Sequence, residues 1–292
     1  MKYLTNFRKE HSIDKKTNLL DIQVAVECVS EANEIAFNYI SNIDSKSDAE
    51  HFTIYTHINL VGRIYEQVEG MLACIATKCP TSSEALGRIV IEGSINLMYM
   101  SSLGNEKTII AFFSSWLNGH ERKLLEWLES IKGKDYYPSV EPMIKERLSV
   151  VKIYSEFVEG AIDKFSADSN DFSKIWPKSI YKRFEALGKE ESYYTNYHRL
   201  SGASHITAED TISWLISLDY KESERHMLAK EAWPYSIMMS RLSCLFFIDA
   251  LSFSCIYHGM TKGDELNRLI ELKNKISESA EKISTAAGVP LI

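Results

Sequence analysis

The sequence lacks the marks of an exported or disulfide-stabilised protein. The N-terminus has neither the apolar segment nor the small-residue cleavage site of a signal peptide. The cysteines number five, an odd count, and most lie in apolar helical patterns where a thiol behaves as a small hydrophobic group. We therefore expect a cytoplasmic protein with reduced cysteines.

An excess of basic charge is also missing. The formal net charge is −7, which argues against nucleic-acid binding through overall charge, although a local basic site stays open. The most apolar stretch, residues 233–260, is interrupted by Arg241 and Asp249. Because a charge at bilayer depth costs about 3 kcal/mol, we predict a helix buried in protein and no membrane span.

Several templates of enzyme chemistry are absent as well. The sequence has no glycine-rich phosphate loop and no Glu-x-x-His or His-Glu-x-x-His motif. Cys74 and Cys79 lack a second ligand pair, and His205 with Glu209 lacks a visible third ligand. These absences predict neither a metal nor a cofactor.

Helical periodicity is what the sequence contains throughout. Apolar residues recur three and four positions apart, and no alternating strand pattern stands out. We predict an all-α, multi-helix bundle of about nine or ten helices, forming a single domain over residues 18–292. Residues 1–17 are polar, and they are either disordered or paired with a partner. The predicted helices cover residues 18–42, 48–78, 82–103, 105–132, 139–165, 172–187, 190–201, 208–218, 225–259 and 262–286.

One helix that is apolar nearly all round carries a pair of opposite charges. Arg88 and Glu92 are four positions apart on one face, with Tyr99 in roughly the same stripe. One interpretation is a buried ion pair that fixes the helix register. The other is an anion-binding arginine that Glu92 orients.

A second concentration of polar side chains lies at residues 197–205. Arg199 and His205 point to different sides of an unbroken helix, so they converge only if the helix ends at Gly202. An arginine and a histidine together suit metal-free acid–base chemistry on a phosphodiester. The structural alternative is a polar helix end whose side chains satisfy backbone groups.

Three groups of residues together resemble a bacterial all-helical family of unknown function. They are Arg88-x-x-x-Glu92, Trp176-Pro177-x-x-Ile180-x-x-Arg183-x-x-x-Leu187-Gly188 and Tyr197-x-x-x-Ser201-x-x-x-His205, within roughly residues 80–215. The resemblance implies a helical bundle in which Arg88, Glu92, Tyr197, Ser201 and His205 lie near one pocket. It implies no particular activity.

The spacing Arg199-x5-His205 also resembles the Arg-x4-6-His signature of HEPN domains. These helical bundles are metal-independent ribonucleases of toxin and phage-defence systems. The resemblance implies an RNA substrate and a homodimer with a composite site.

The leading hypothesis is therefore a HEPN-like endoribonuclease. In it Arg199 stabilises charge and His205 transfers a proton. The expected substrate-binding residues are Arg88, Glu92, Tyr197, Ser201 and Arg241. The alternative is a non-catalytic ligand-binding or protein-interaction module, in which the same residues form a buried structural network.

Overall fold

The computed structural model of the chain describes residues 2–201, 212, 215–216 and 218–287. Over these residues the protein is all-helical and contains no strand, as predicted. Eleven α-helices lie there, slightly more than the nine or ten expected. Their bounds are α1 Lys2–Glu10, α2 Leu20–Ser41, α3 Asp48–Ala76, α4 Pro80–Leu103, α5 Glu106–Ser130, α6 Tyr137–Lys164, α7 Phe172–Ile175, α8 Ile180–Ala186, α9 Glu190–Ser192, α10 Glu222–Tyr257 and α11 Asp264–Ala287. A 3-10 turn covers Ser169–Asp171, and a π-helix covers Tyr193–His198.

Two local features account for the additional helices. The polar segment 1–17 contains α1, which packs on α2. The helix predicted over 172–187 is divided, because Trp176 takes an extended conformation with φ −120° and ψ 96°. The residue before a proline is driven out of the helical region, and Pro177 follows Trp176 directly.

One compact unit comprises residues 1–44, 54–102 and 183–292. Helix α10 is its main core element, packing on α2 and α11, which also pack on each other. Helix α4 approaches α10 closely at Gly87, where a β-carbon would lie 2.8 Å from the Ser243 hydroxyl. Only glycine allows this approach without a shift of the neighbour.

Within α10, the segment Ala232–Tyr257 is long and apolar enough to cross a membrane by length and composition. Its most apolar stretch is 67% buried inside the protein. This burial is typical of the core helix of a soluble protein, in agreement with the prediction from the interrupting charges.

The second compact unit comprises residues 45–53 and 103–182. Its core is a helical hairpin in which buried apolar residues recur every seven positions. They are Ile110, Leu117, Leu124 and Ile131 at α5, and Ile144, Val151 and Val158 on α6. A seven-residue repeat keeps one seam of each helix facing its partner, as in coiled coils. Asn105 begins α5 with a capping box that includes Thr108, where one predicted helix ends at 103 and the next begins at 105.

A histidine pair that the sequence analysis did not single out lies in the core of the first unit. His57 on α3 is fully buried, with Nδ1 3.1 Å from the Ser254 hydroxyl and 3.2 Å from Nε2 of His258. Burial, and then the charge of His258, lowers the pKa of His57 to about 3. His57 is therefore neutral in the folded protein at pH 7.

This burial predicts a loss of stability in mild acid. Below pH 6.5, His57 takes up a proton in the unfolded chain but not in the folded chain. The contribution of neutral His57 to the free energy of unfolding is therefore complete above pH 6.5 and decreases as the pH falls. The free energy of unfolding should fall by about 1.4 kcal/mol per pH unit, or about 2 kcal/mol between pH 7 and pH 5. Urea denaturation at pH 7, 6 and 5 measures it.

His57→Asn should flatten this dependence, because asparagine keeps a polar atom near Ser254 and does not titrate. His120→Asn is the matched control, since His120 stacks on Trp116 in the other unit. We expect the control to retain the slope of the natural protein. An unchanged slope in His57→Asn would mean that other groups cause the acid sensitivity.

Candidate functional site

Helix α4 presents a polar stripe to the rest of the first unit. Glu84, Arg88 and Glu92 follow one another at intervals of four residues, so they lie on one face of the helix. Their hydrogen-bond partners come from the π-helix and from α10. The stripe therefore joins segments that are distant in the sequence.

The centre of this stripe is a tyrosine shared by two opposite charges. The Tyr197 hydroxyl donates to Oε2 of Glu92 at 2.8 Å and accepts from Nη2 of Arg88 at 3.2 Å. The Arg88 guanidinium also lies 5.0 Å from the centre of the Tyr197 ring. Arg88 and Glu92, predicted as a pair, are thus linked through a third residue. Both are half-buried, whereas Tyr197 is only 4% exposed.

A second arginine belongs to the same group. Arg183, on α8, is 6% exposed, and burial lowers the pKa of its guanidinium. The carboxylate of Glu92 is the largest influence opposing that change, followed by Tyr197 and Tyr99. We call Arg88, Glu92, Arg183 and Tyr197 the Tyr197 cluster. Its charged groups are two guanidiniums and one carboxylate.

The same surroundings keep the phenol of Tyr197 protonated. Burial raises the pKa of Tyr197, and the hydrogen bond to Glu92 raises it further, while Arg88 acts in the opposite direction. A neutral phenol both donates and accepts, as this position requires. Tyr197 is therefore a positioning residue for the arginine and the carboxylate.

The π-helix Tyr193–His198 presents Tyr197 to α4. Phe184 packs against this π-helix, and the centre of its ring lies 5.6 Å from that of Tyr193 and 5.9 Å from that of Tyr197. Leu200, just beyond, is fully buried. Short π-helical turns are rare and occur often at functional sites.

Arg199 lies beside the Tyr197 cluster but has different partners. Its side chain is exposed, and its guanidinium lies 5.3 Å from the centre of the Tyr235 ring. The pKa of Tyr235 is raised by burial and lowered by Arg199, while Glu84 raises it, so these three groups are neighbours. Glu84 also accepts a short hydrogen bond from the Ser236 hydroxyl. Arg199 thus extends the polar stripe of α4 toward solvent.

The remaining predicted residues have separate positions. Ser201 donates to the Tyr197 carbonyl at 3.4 Å, so it lies next to the cluster. Gly202 and His205 lie outside the described residues, and their predicted convergence with Arg199 stays a prediction. Within the described residues, no three His, Cys, Asp or Glu side chains are placed to hold a metal ion.

Arg241 is buried in a different part of the first unit. Its Nε donates to the Ser279 hydroxyl at 3.2 Å, and Nη2 donates to the Asp21 carbonyl in a short hydrogen bond. Burial lowers the pKa of its guanidinium, and the nearby carboxylate of Asp21 opposes this change. Asp249, the other charge within the apolar segment Ala232–Tyr257 of α10, pairs with Lys189 and Lys273. Arg241 therefore joins α10 to α2 and α11, and none of these contacts is with the Tyr197 cluster.

The comparison with known families agrees with the resemblance seen in the sequence. Residues 55–222 match a family of unknown function, DUF5677. The chain belongs to this family. The DUF5677 match is broader than the predicted 80–215, includes the whole Tyr197 cluster, and gives no support to the HEPN resemblance. No curated protein and no solved structure matches the chain.

Sequence reasoning missed three contributors to the site. Arg183 was noted only as part of the family pattern, although an arginine in a short helix next to Phe184 indicates burial. Glu84 could have been found from its spacing of four to Arg88. Tyr235 gives no local signal, because only the packing of α10 brings it to Arg199.

The shared hydroxyl predicts energetic coupling between Tyr197 and Glu92. Tyr197→Phe should lower the free energy of unfolding by about 1.5–3 kcal/mol, as expected for hydrogen bonds to charged groups. Glu92→Gln should also destabilise the protein. The double variant should lose less than the sum of the two, by at least about 0.5 kcal/mol, because both changes break one network. Urea denaturation of the four proteins measures the coupling.

Tyr137→Phe is the matched control, because it removes a tyrosine–carboxylate hydrogen bond of 2.6 Å to Glu141 on the surface of α6. We expect it to cost less than Tyr197→Phe, and to add independently to Glu92→Gln. Strict additivity of Tyr197→Phe and Glu92→Gln would contradict a shared network.

Proposed function

We propose that this DUF5677 protein is a cytoplasmic ligand-binding protein whose Tyr197 cluster holds a phosphate group. The observation that carries the proposal is the clamping of Arg88. Its guanidinium is held by a hydrogen bond and by the ring of the same tyrosine. A guanidinium fixed in this way is prepared for bidentate contact with phosphate oxygens.

The charge balance of the cluster supports an anionic ligand. Among its described residues, Arg88 and Arg183 carry two positive charges against the single carboxylate of Glu92. Burial strengthens electrostatic attraction, because the local dielectric is lower than that of water. The net negative charge of the chain disfavours binding along an extended phosphate backbone. Recognition of a phosphate group would therefore depend on this local site.

A second candidate function is the metal-independent endoribonuclease predicted from the sequence. The exposure of Arg199 favours it, because a guanidinium open to solvent beside the cluster can reach a large ligand. In this candidate Arg199 stabilises the phosphorane charge and His205 transfers the proton. Arg88 would position a neighbouring phosphate, and a homodimer would complete the site.

The binding proposal is tested with inorganic phosphate and the purified full chain. Calorimetric titration should show saturable binding, and Arg88→Gln should weaken it at least about tenfold, since a hydrogen bond to a charged group contributes about 1.5–3 kcal/mol. Arg268→Gln is the matched control, because Arg268 on α11 pairs with Glu31 and Glu271 away from the cluster. We expect it to bind as the natural protein does. The absence of binding, or equal weakening by both changes, would refute the proposal.

The ribonuclease candidate is tested with total RNA and structured transfer RNA, without added metal. His205→Ala and Arg199→Ala should each slow cleavage at least about a hundredfold, the usual contribution of acid–base catalysis. Arg63→Ala, on the exposed face of α3, should leave the rate unchanged. Cleavage that survives both site changes, or no cleavage by the natural protein, would leave the binding function as the better account.

A further inference from the structure

The second compact unit contains a pocket that is separate from the Tyr197 cluster. Residues of α5, of α6 and of the segment 169–178 line it, and all of them belong to residues 103–182. Its volume is about 720 Å³, within the range of roughly 300–1,000 Å³ found for small-molecule sites. The pocket is therefore large enough for a ligand of one or two rings.

Half of the polar residues that line this pocket carry hydroxyls. Five serines line it, namely Ser114, Ser115, Ser155, Ser169 and Ser173, together with the amide of Asn118. A hydroxyl both donates and accepts hydrogen bonds, so such a wall complements a ligand that carries several hydroxyls itself. Metal ions and isolated charges fit this lining less well.

The hydroxyl of Ser114 gives an independent indication of a missing partner. Ser114 lines the pocket and is 9% exposed, and its Oγ has no hydrogen-bond partner among the described residues. Buried hydroxyls are paired in most proteins, because an unpaired one loses its hydration without compensation. A ligand hydroxyl would supply the partner once the Ser114 side chain turned toward the pocket.

The charges and the apolar surface of the pocket define the ligand class further. Two acidic side chains, Glu121 and Glu159, balance two basic ones, Arg122 and Lys178. The apolar part of the lining includes the aromatic Phe172 and Trp176. Balanced charge favours a neutral ligand, and aromatic surface favours one with a flat C–H face.

We propose that this pocket binds an uncharged, polyhydroxylated ring, either a monosaccharide or the ribose of a nucleoside. The serine hydroxyls and Asn118 bond the ring hydroxyls, while Phe172 and Trp176 contact the C–H face. The site is independent of the phosphate site, and either can exist without the other.

The test uses glucose, ribose and uridine as uncharged probes, and glucose 6-phosphate as a charged one, in calorimetric titrations of the full chain. Binding of glucose or ribose assigns the site to free sugars, and binding of uridine alone assigns it to nucleosides; both support the proposal. Binding of glucose 6-phosphate alone, or of no probe, would overturn it.

A pair of glycine substitutions localises the binding. Gly119 lines the pocket and Gly160 on α6 does not, and a β-carbon at either position meets no atom within 4 Å. Leucine suits a helix interior better than glycine, so both variants should stay folded. Gly119→Leu fills the pocket and should weaken binding at least about tenfold, whereas Gly160→Leu should change it less than about twofold. Equal affinities of the two variants would overturn the assignment.

Ser114→Ala gives a finer measure of the same site. Loss of one neutral hydrogen bond should weaken binding about fivefold. Ser149→Ala is the control, because Ser149 lies on α6 and its hydroxyl already bonds the Glu146 carbonyl. An affinity unchanged in Ser114→Ala would remove Ser114 from the proposed site.

Discussion

The hydroxyl of Tyr197 lies between a guanidinium and a carboxylate of α4, and it links the π-helix to that helix. Removing Arg88 and Glu92 partly from water costs free energy that only well-placed partners offset. Tyr197 offsets it for both at once, since its hydroxyl donates to Glu92 and accepts from Arg88. The π-helix and the packing of Phe184 against the Tyr197 ring place this hydroxyl at α4.

The parts of the fold that were predictable are those set by local patterns. The all-helical class, the capping turn at Asn105 and most helix positions follow from apolar spacing and punctuation. The break at Trp176 was missed when one helix was predicted over 172–187, although Pro177 restrains the residue before it. The π-helix was not predictable, because the one extra residue in its turn leaves no pattern in the sequence. It depends on the contact of Tyr197 with α4.

The candidate site was predictable in composition and less so in connectivity. Arg88 and Glu92 share a helix face and could be paired from spacing alone. Glu92 and Tyr197 are 105 residues apart in the chain, and a single sequence does not reveal that they are in contact. Arg241 was predicted to bind substrate together with Arg88. Its hydrogen bonds instead join α10 to α2 and α11. Burial of a charge therefore does not by itself locate a site.

The Tyr197 cluster places charged side chains where helices meet. A buried group of charges is seldom the most stable way to join helices, because apolar residues of similar volume often do as well or better. The hairpin of α5 and α6 illustrates the apolar solution in this chain, with a heptad seam and no charge in its core. Helix α4 is mostly apolar elsewhere and has two charges at one contact. Packing alone does not require those charges, and the phosphate site proposed above would give them a role.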